Sequence, residues 1–267
     1  MGADIKNLRT RIKSVDSTLH LTKAMGLVAS SKIRKASDAM YRSREYAQAV
    51  KQAIKLLASC RECEKSPYMQ KRGEQRDRII IIAGDRGLAG GYNANIFRLA
   101  KNYPTAQMIP IGKRSCDRYK QKSVSSEYFS YADALALSSE LCKDFESAKF
   151  DRLGIISTEY VSVLSQEARI EWILPVQKTE DAQSKSVLFE PDELCVLNEA
   201  VPQYVAGMIM AAVRESFACE TAARRTAMDS AGKNAQQMID DLQLVYNRAR
   251  QGAITQEITE IVAGSGR

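Results

Sequence analysis

The chain has 267 residues, 45% of them hydrophobic and 27% charged, with a formal net charge of +7. That is enough for one large domain or two modest ones with real cores, and it excludes wholesale disorder. No run approaches about 18 apolar residues, and the start, MGADIKNLRTRIK, lacks the apolar core of a secretory signal, so an intracellular chain without a membrane span is expected.

The first segment is basic: residues 1–44 hold ten Lys/Arg against three Asp. Such a face suits nucleic acid, acidic lipid, an acidic protein surface or plain solvent. Ile5, Leu8, Ile12, Val15, Leu19, Thr22, Gly26, Ala29, Ile33, Ala36 and Met40 alternate at three and four residues, and Ala47, Val50, Ile54 and Leu57 resume the register. Spacing that averages 3.5 residues predicts a coiled-coil helix, about 80 Å long over some 55 residues. His20, the single histidine, is read as a surface residue of that helix. Cys60-Arg-Glu-Cys63 has no second CxxC within the chain, and zinc wants about four ligands, so free thiols are expected.

The middle reads differently. DRIIIIAG (Asp77–Gly84), AQMIPIG (Ala106–Gly112), FDRLGIIST (Phe150–Thr158) and ARIEWILPV (Ala168–Val176) are predicted strands. Helical patterns at Asn93–Asn102, Lys113–Gln121 and Tyr131–Lys149 alternate with them. That order predicts a mostly parallel α/β sheet with crossover helices. AGDRGLAGGYN follows the first strand, where dinucleotide folds place a phosphate loop, but its glycines (84, 87, 90, 91) do not match G-x-G-x-x-G. A Walker loop, a Ser/His/Asp group and a nucleophile elbow are absent from the sequence. The loop is therefore read as a tight turn needing positive φ, with no catalytic residue, cofactor or metal site expected. LFEPDELCVLNEAVPQ is read as a short helix with Pro191 in its first turn.

After Pro202 the three-four spacing returns at Met228, Ala231, Ala235, Met238, Leu242, Val245, Ala249 and Gly252, followed by Ile254, Ile258 and Ile261. Two narrow stripes at opposite ends of a chain most simply pair with each other, antiparallel; a helical-bundle core is the alternative. The expected organisation is a coiled-coil helix at 1–65, a Rossmann-like α/β domain at 77–190, and a second coiled-coil helix at 200–267 paired with the first.

Four stretches carry a resemblance: IKSVDSTLHLTKAMGLVASSKIRKA, GDRGLAGGYNANI, LFEP and YNRARQGAITQEITEIVAGS. In order along the whole chain they resemble the gamma-subunit family of F-type ATP synthases. The resemblance implies a non-catalytic central rotor shaft that couples ion-driven rotation to ATP synthesis and hydrolysis. It implies a proton-translocating complex in which the catalytic sites lie on beta subunits of an alpha3-beta3 ring. The implied partners are the alpha and beta subunits, the epsilon subunit and the membrane c-ring, with no nucleic acid and no cofactor. The implied location is peripheral, on the cytoplasmic face of a bacterial membrane, or in an organelle after processing. Position by position, Met25, Arg224, Arg250, Gln251 and Thr255 match family residues that contact the ring. Two positions depart from the family pattern: Gly26 replaces a charged residue, and Ala89 replaces a cysteine. Nothing resembles the regulatory cysteine insertion of chloroplast relatives, so thiol control is not expected.

Overall fold

A computed structural model describes residues 2–73, 76–178 and 189–265. The elements in chain order are α1 (Gly2–Ala58), two 3₁₀ turns (Glu62–Lys65 and Pro67–Met69), β1 (Asp77–Ile82), α2 (Tyr92–Ala100), β2 (Gln107–Ile111), α3 (Lys113–Tyr119), α4 (Tyr131–Glu146), β3 (Arg152–Tyr160), β4 (Gln166–Leu174) and α5 (Glu193–Ser265). The chain divides into two compact units. One consists of Met1–Ser30 with Arg224–Arg267, the other of Ser31–Ala223.

In the larger unit the strands run in the order β2-β1-β3-β4. β1 is parallel to both β2 and β3, while β3 and β4 form an antiparallel hairpin. The run of isoleucines in β1 follows from its central place, since a strand covered on both faces has no solvent side to make polar. Ile80 and Ile82 face a core shared with α1, α4 and α5, including Ile54, Leu141, Val201 and Ile209. Ile79 and Ile81 face α2, through Ile96 and Ala100. The α/β layers expected from the sequence are thus present, with the hairpin edge as the one antiparallel pairing. Its turn is fastened by the Ser162 hydroxyl, which accepts from the Leu164 and Ser165 amides at 3.2 and 3.0 Å.

The short helix expected around Pro191 and before Pro202 is instead the beginning of α5. Asp192 caps it, its carboxylate accepting from the Cys195 amide at 2.8 Å, and the helix continues through Pro202. An interior proline costs about 3 kcal/mol. Burial of Leu197, Val201, Val205 and Ile209 around it contributes about 1.5–3 kcal/mol each, which offsets that cost. α5 also contains an 18-residue window of mean hydropathy 1.3, long and apolar enough to cross a membrane. Its most apolar residues, from Leu197 to Cys219, pack in the core of this unit, the position of a buried core helix.

In the smaller unit α1 and α5 run antiparallel. Gly26 lies against Met228, Gly232 against Thr22 and Leu19, and Leu19 packs with Ala235 and Ile239. Every stripe position named on α1, from Ile5 to Leu57, is buried or half-buried. On α5 the stripe differs from the expected one: Met238, Val245 and Ile254 are exposed, and Gly252, Ile258 and Ile261 point out as well. From Met228 on, the buried or half-buried positions are 228, 231, 232, 235, 239, 242, 246, 249 and 253, so Ala231 keeps its expected place. A four-three order shares Met228, Ala235, Leu242 and Ala249 with the three-four order, so spacing alone does not choose between them. The structure takes the four-three order: Ile239 is 5% exposed and packs with Leu19, while Met238 is 46% exposed. Of the α/β domain expected at 77–190, the segment 179–188 lies outside the described residues, as does most of the LFEP motif's approach.

Candidate partner-contact surface

Beyond Ile239 the smaller unit keeps little apolar surface to itself. From Tyr246 to Val262 only Tyr246, Ala249 and Ala253 are half-buried; the other side chains are exposed. Ile254, Ile258, Ile261 and Val262 are 47–71% exposed, and on α1 Leu21, Leu27 and Val28 stand out at 57–73%. Scattered apolar residues on a surface are ordinary, whereas a run of them along one helix end marks a surface made to be covered.

Three of the sequence-predicted contact residues lie in that run. Arg250, Gln251 and Thr255 are exposed, and the Thr255 hydroxyl donates to the Gln251 carbonyl at 2.9 Å. Spaced four apart, Gln251 and Thr255 share a face. Arg250 makes no hydrogen bond or ion pair with the described residues, so its five donors are available to a partner. Met25 and Arg224 lie elsewhere. Both are half-buried, in the stretch where Gly26 meets Met228 and Asp229. At 1.5 Å per residue that level is roughly 30–40 Å along α5 from Arg250. The five residues therefore form two levels of one helix pair, not one site.

The glycine loop belongs to the larger unit and is filled from within. The Gly84 amide donates to Asn93 Oδ1 at 2.9 Å, and the next two amides, of Asp85 and Arg86, donate to the carboxylate of Glu220 at 3.3 Å each. Leu88 and Gly90 have φ of 61° and 56°, so the turn uses the left-handed region, one of those times with a non-glycine residue. Asp85 turns its own carboxylate the other way, accepting from the Ser125 hydroxyl at 2.6 Å and from the Lys113, Ser126 and Glu127 amides at 3.0 Å. Burial pushes the Asp85 carboxyl upward, but these four donors outweigh it and hold it below the usual carboxylate range. Gly112 completes the loop cluster. At φ 96°, a β-carbon there would stand 1.9 Å from the Ala83 carbonyl oxygen.

Residue patterns did not single out Glu215, Glu220 or Asp85. The available signal was the presence of two acids, Glu215 and Glu220, five residues apart inside the apolar stretch VAGMIMAAVRESFACETAA. Acids there need partners in the core. All six cysteines are free thiols. Burial, with the nearby Cys60 and acidic residues, pushes Cys63 up to about 11, and its thiol donates to the Glu193 carbonyl at 3.3 Å. Among the described residues no group of three His, Cys, Asp or Glu is arranged to hold a metal ion.

Comparison with known proteins agrees along the whole length. The ATP synthase family model matches residues 4–266. An ATP synthase gamma chain of Ruminococcus albus is 38% identical over 281 aligned positions, covering 98% of each chain. A gamma chain from a Geobacter species is 33% identical with the same coverage. Among solved structures, the rotor of Euglena gracilis mitochondrial ATP synthase superposes with a TM-score of 0.67 at 18% identity, covering 95% of this chain and all of that one. The central stalk and c-ring assembly of the Tetrahymena thermophila enzyme gives 0.60 at 22%, over 79% of this chain and 99% of that one. These structural likenesses carry the fold; the identity to gamma chains carries more, and the paired terminal helices, the inserted sheet and the exposed helix end all agree with it. The chain belongs to the ATP synthase gamma chain family.

Proposed function

We propose that the chain is the central-stalk rotor subunit of a proton-translocating F-type ATP synthase. It is non-catalytic by itself and works by turning inside an alpha3-beta3 ring whose beta subunits hold the catalytic sites. Near-full-length identity to gamma chains supports this reading most directly. The exposed apolar end of α5 agrees with it, because a helix tip running in a sleeve needs a surface another chain covers. Coupling is differential contact. Each orientation of an asymmetric shaft favours one conformation of each ring subunit, and nucleotide affinity shifts with it.

In this reading the segments 1–65 and 200–267 form the coiled-coil shaft and 77–190 the projecting α/β domain, which meets the epsilon subunit and the c-ring. Met25, Arg224, Arg250, Gln251 and Thr255 are ring contacts. No nucleic acid takes part, and the complex sits peripherally on the cytoplasmic face of a bacterial membrane. The test is reconstitution of the full chain with alpha and beta subunits, read by co-purification and by single-molecule rotation. A stoichiometric complex that rotates on ATP is expected; subunits that stay apart on size exclusion overturn the proposal.

A further inference from the structure

In open α/β sheets a ligand binds beyond the carboxyl ends of the strands, at the point where the chain leaves one strand toward one side and returns on the other. Here that point is the end of β1, which has β2 on one side and β3 on the other. Consecutive backbone amides in a turn there form a nest that takes an anion. The anion in this nest comes from the protein. Glu220, 2% exposed, points its carboxylate at the amides of Asp85 and Arg86. Gly84 is the residue that admits it, since a β-carbon at 84 would stand 2.7 Å from the Glu220 carboxyl carbon.

We infer that the Gly84–Arg86 turn is an anion-binding nest whose resident ligand is the Glu220 carboxylate, and that this internal ligand closes the crevice and latches β1 to α5. A second carboxylate one and a half turns earlier does the same for the neighbouring strand. Glu215 Oε1 accepts from the Tyr160 amide at the end of β3, at 2.9 Å, and from the Arg44 guanidinium at 2.6 Å. Two acids on one helix thus hold the carboxyl ends of two adjacent parallel strands. These bonds add to the apolar packing of Val205, Ile209 and Val213 and to the bond from the Thr158 amide to the Ser216 hydroxyl, which join the same stretch of α5 to the sheet.

A latch of this kind can be replaced by a small free anion, which packing alone cannot imitate. The experiment uses the full chain with Glu220→Ala, Gly84→Ala and both, followed by thermal unfolding in formate or in sodium chloride at equal ionic strength. Glu220→Ala is expected to lower the melting temperature by roughly 4–8 °C. Formate should restore part of that loss, the recovery rising with the logarithm of its concentration above about 10 mM, while chloride restores none and wild type does not respond. Gly84→Ala should lower the melting temperature in wild type and do so much less in the Glu220→Ala background. A loss insensitive to formate, equal recovery in chloride, or additive losses in the double variant overturn the inference. Should Glu220→Ala yield no folded protein, Glu220→Gln keeps the volume and one acceptor oxygen. The Asp85 and Arg86 amide protons should then shift upfield and exchange faster with solvent; unchanged resonances overturn the assignment.

Discussion

Gly26 of α1 lies directly against Met228 of α5: a β-carbon added at 26 would sit 3.7 Å from the Met228 β-carbon and 3.6 Å from Asp229 Oδ1. Both distances are ordinary van der Waals contact, so the site has room for a methyl group. Glycine in a helix interior is about 0.8–1 kcal/mol less favourable than alanine. Gly26→Ala should therefore raise stability by about 0.5–1 kcal/mol, seen as a higher urea midpoint by circular dichroism. A lower midpoint would mean that the two helices need a closer approach than this spacing.

Leu19 is 4% exposed and packs with Ala235 and Ile239 in the small core of the terminal helices. Leu19→Asp removes that burial and places a carboxylate where it loses its water, costing about 3–5 kcal/mol in all. Few other buried apolar residues hold these helix ends together, so far-UV circular dichroism should show helix lost from the C-terminal stretch as well as from α1. Unchanged ellipticity would show that the ends do not depend on this seam.

Asp85 titrates below an ordinary carboxyl group because its charged form accepts four hydrogen bonds. A lowered folded-state pKa means that its contribution is complete above the unfolded value, about pH 4, and disappears as pH falls through the folded value. Asp85→Asn should cost about 1.5–3 kcal/mol at pH 7, and the cost should shrink as the pH falls below the unfolded value and through the folded one. The measurement is the wild-type and variant urea midpoints across that range. A gap that stays constant with pH would remove the charge from the explanation.

Gly112 admits no side chain. Its φ of 96° lies where L-residues are strained, and the Ala83 carbonyl occupies the space of a β-carbon. Gly112→Ala should destabilise the sheet unit by about 3 kcal/mol or more, with expression or thermal melting as the readout. A near-neutral variant would mean that the β2–α3 connection rearranges freely.

Arg250 and Gln251 are exposed, and the one side-chain bond to Gln251 among the described residues goes to its backbone carbonyl, from the Thr255 hydroxyl. If a ring subunit bonds Arg250 in one rotary state, losing the charge-assisted bond removes about 1.5–3 kcal/mol from that state alone. Arg250→Ala/Gln251→Ala should assemble at normal yield yet turn over ATP roughly 10- to 100-fold more slowly, by the equivalence of 1.4 kcal/mol and a factor of ten. Wild-type rate and stall torque would show that the pair is passive, and failed assembly would make it structural.

Much of this molecule was legible residue by residue. The stripe from Ile5 to Leu57 predicts its own buried face because α1 keeps a single register along its length, and period is a local property. The isoleucine run of β1 likewise announces a strand covered on both sides. What only the tertiary structure decided were choices between locally equal options. On α5, residues 238 and 239 differ by 100° around the axis, and either satisfies a three-four spacing. The burial of Ile239 against Leu19 breaks the tie. Pro202 reads as a helix end, yet burial on both sides of it carries α5 through. Glu220 lies 135 residues from Asp85 in the chain, and no local pattern connects an acid in an apolar helix with a distant glycine turn. Only the packing of α5 on the strand ends brings that charge and those amides together, because a buried carboxylate is stable only where donors already wait.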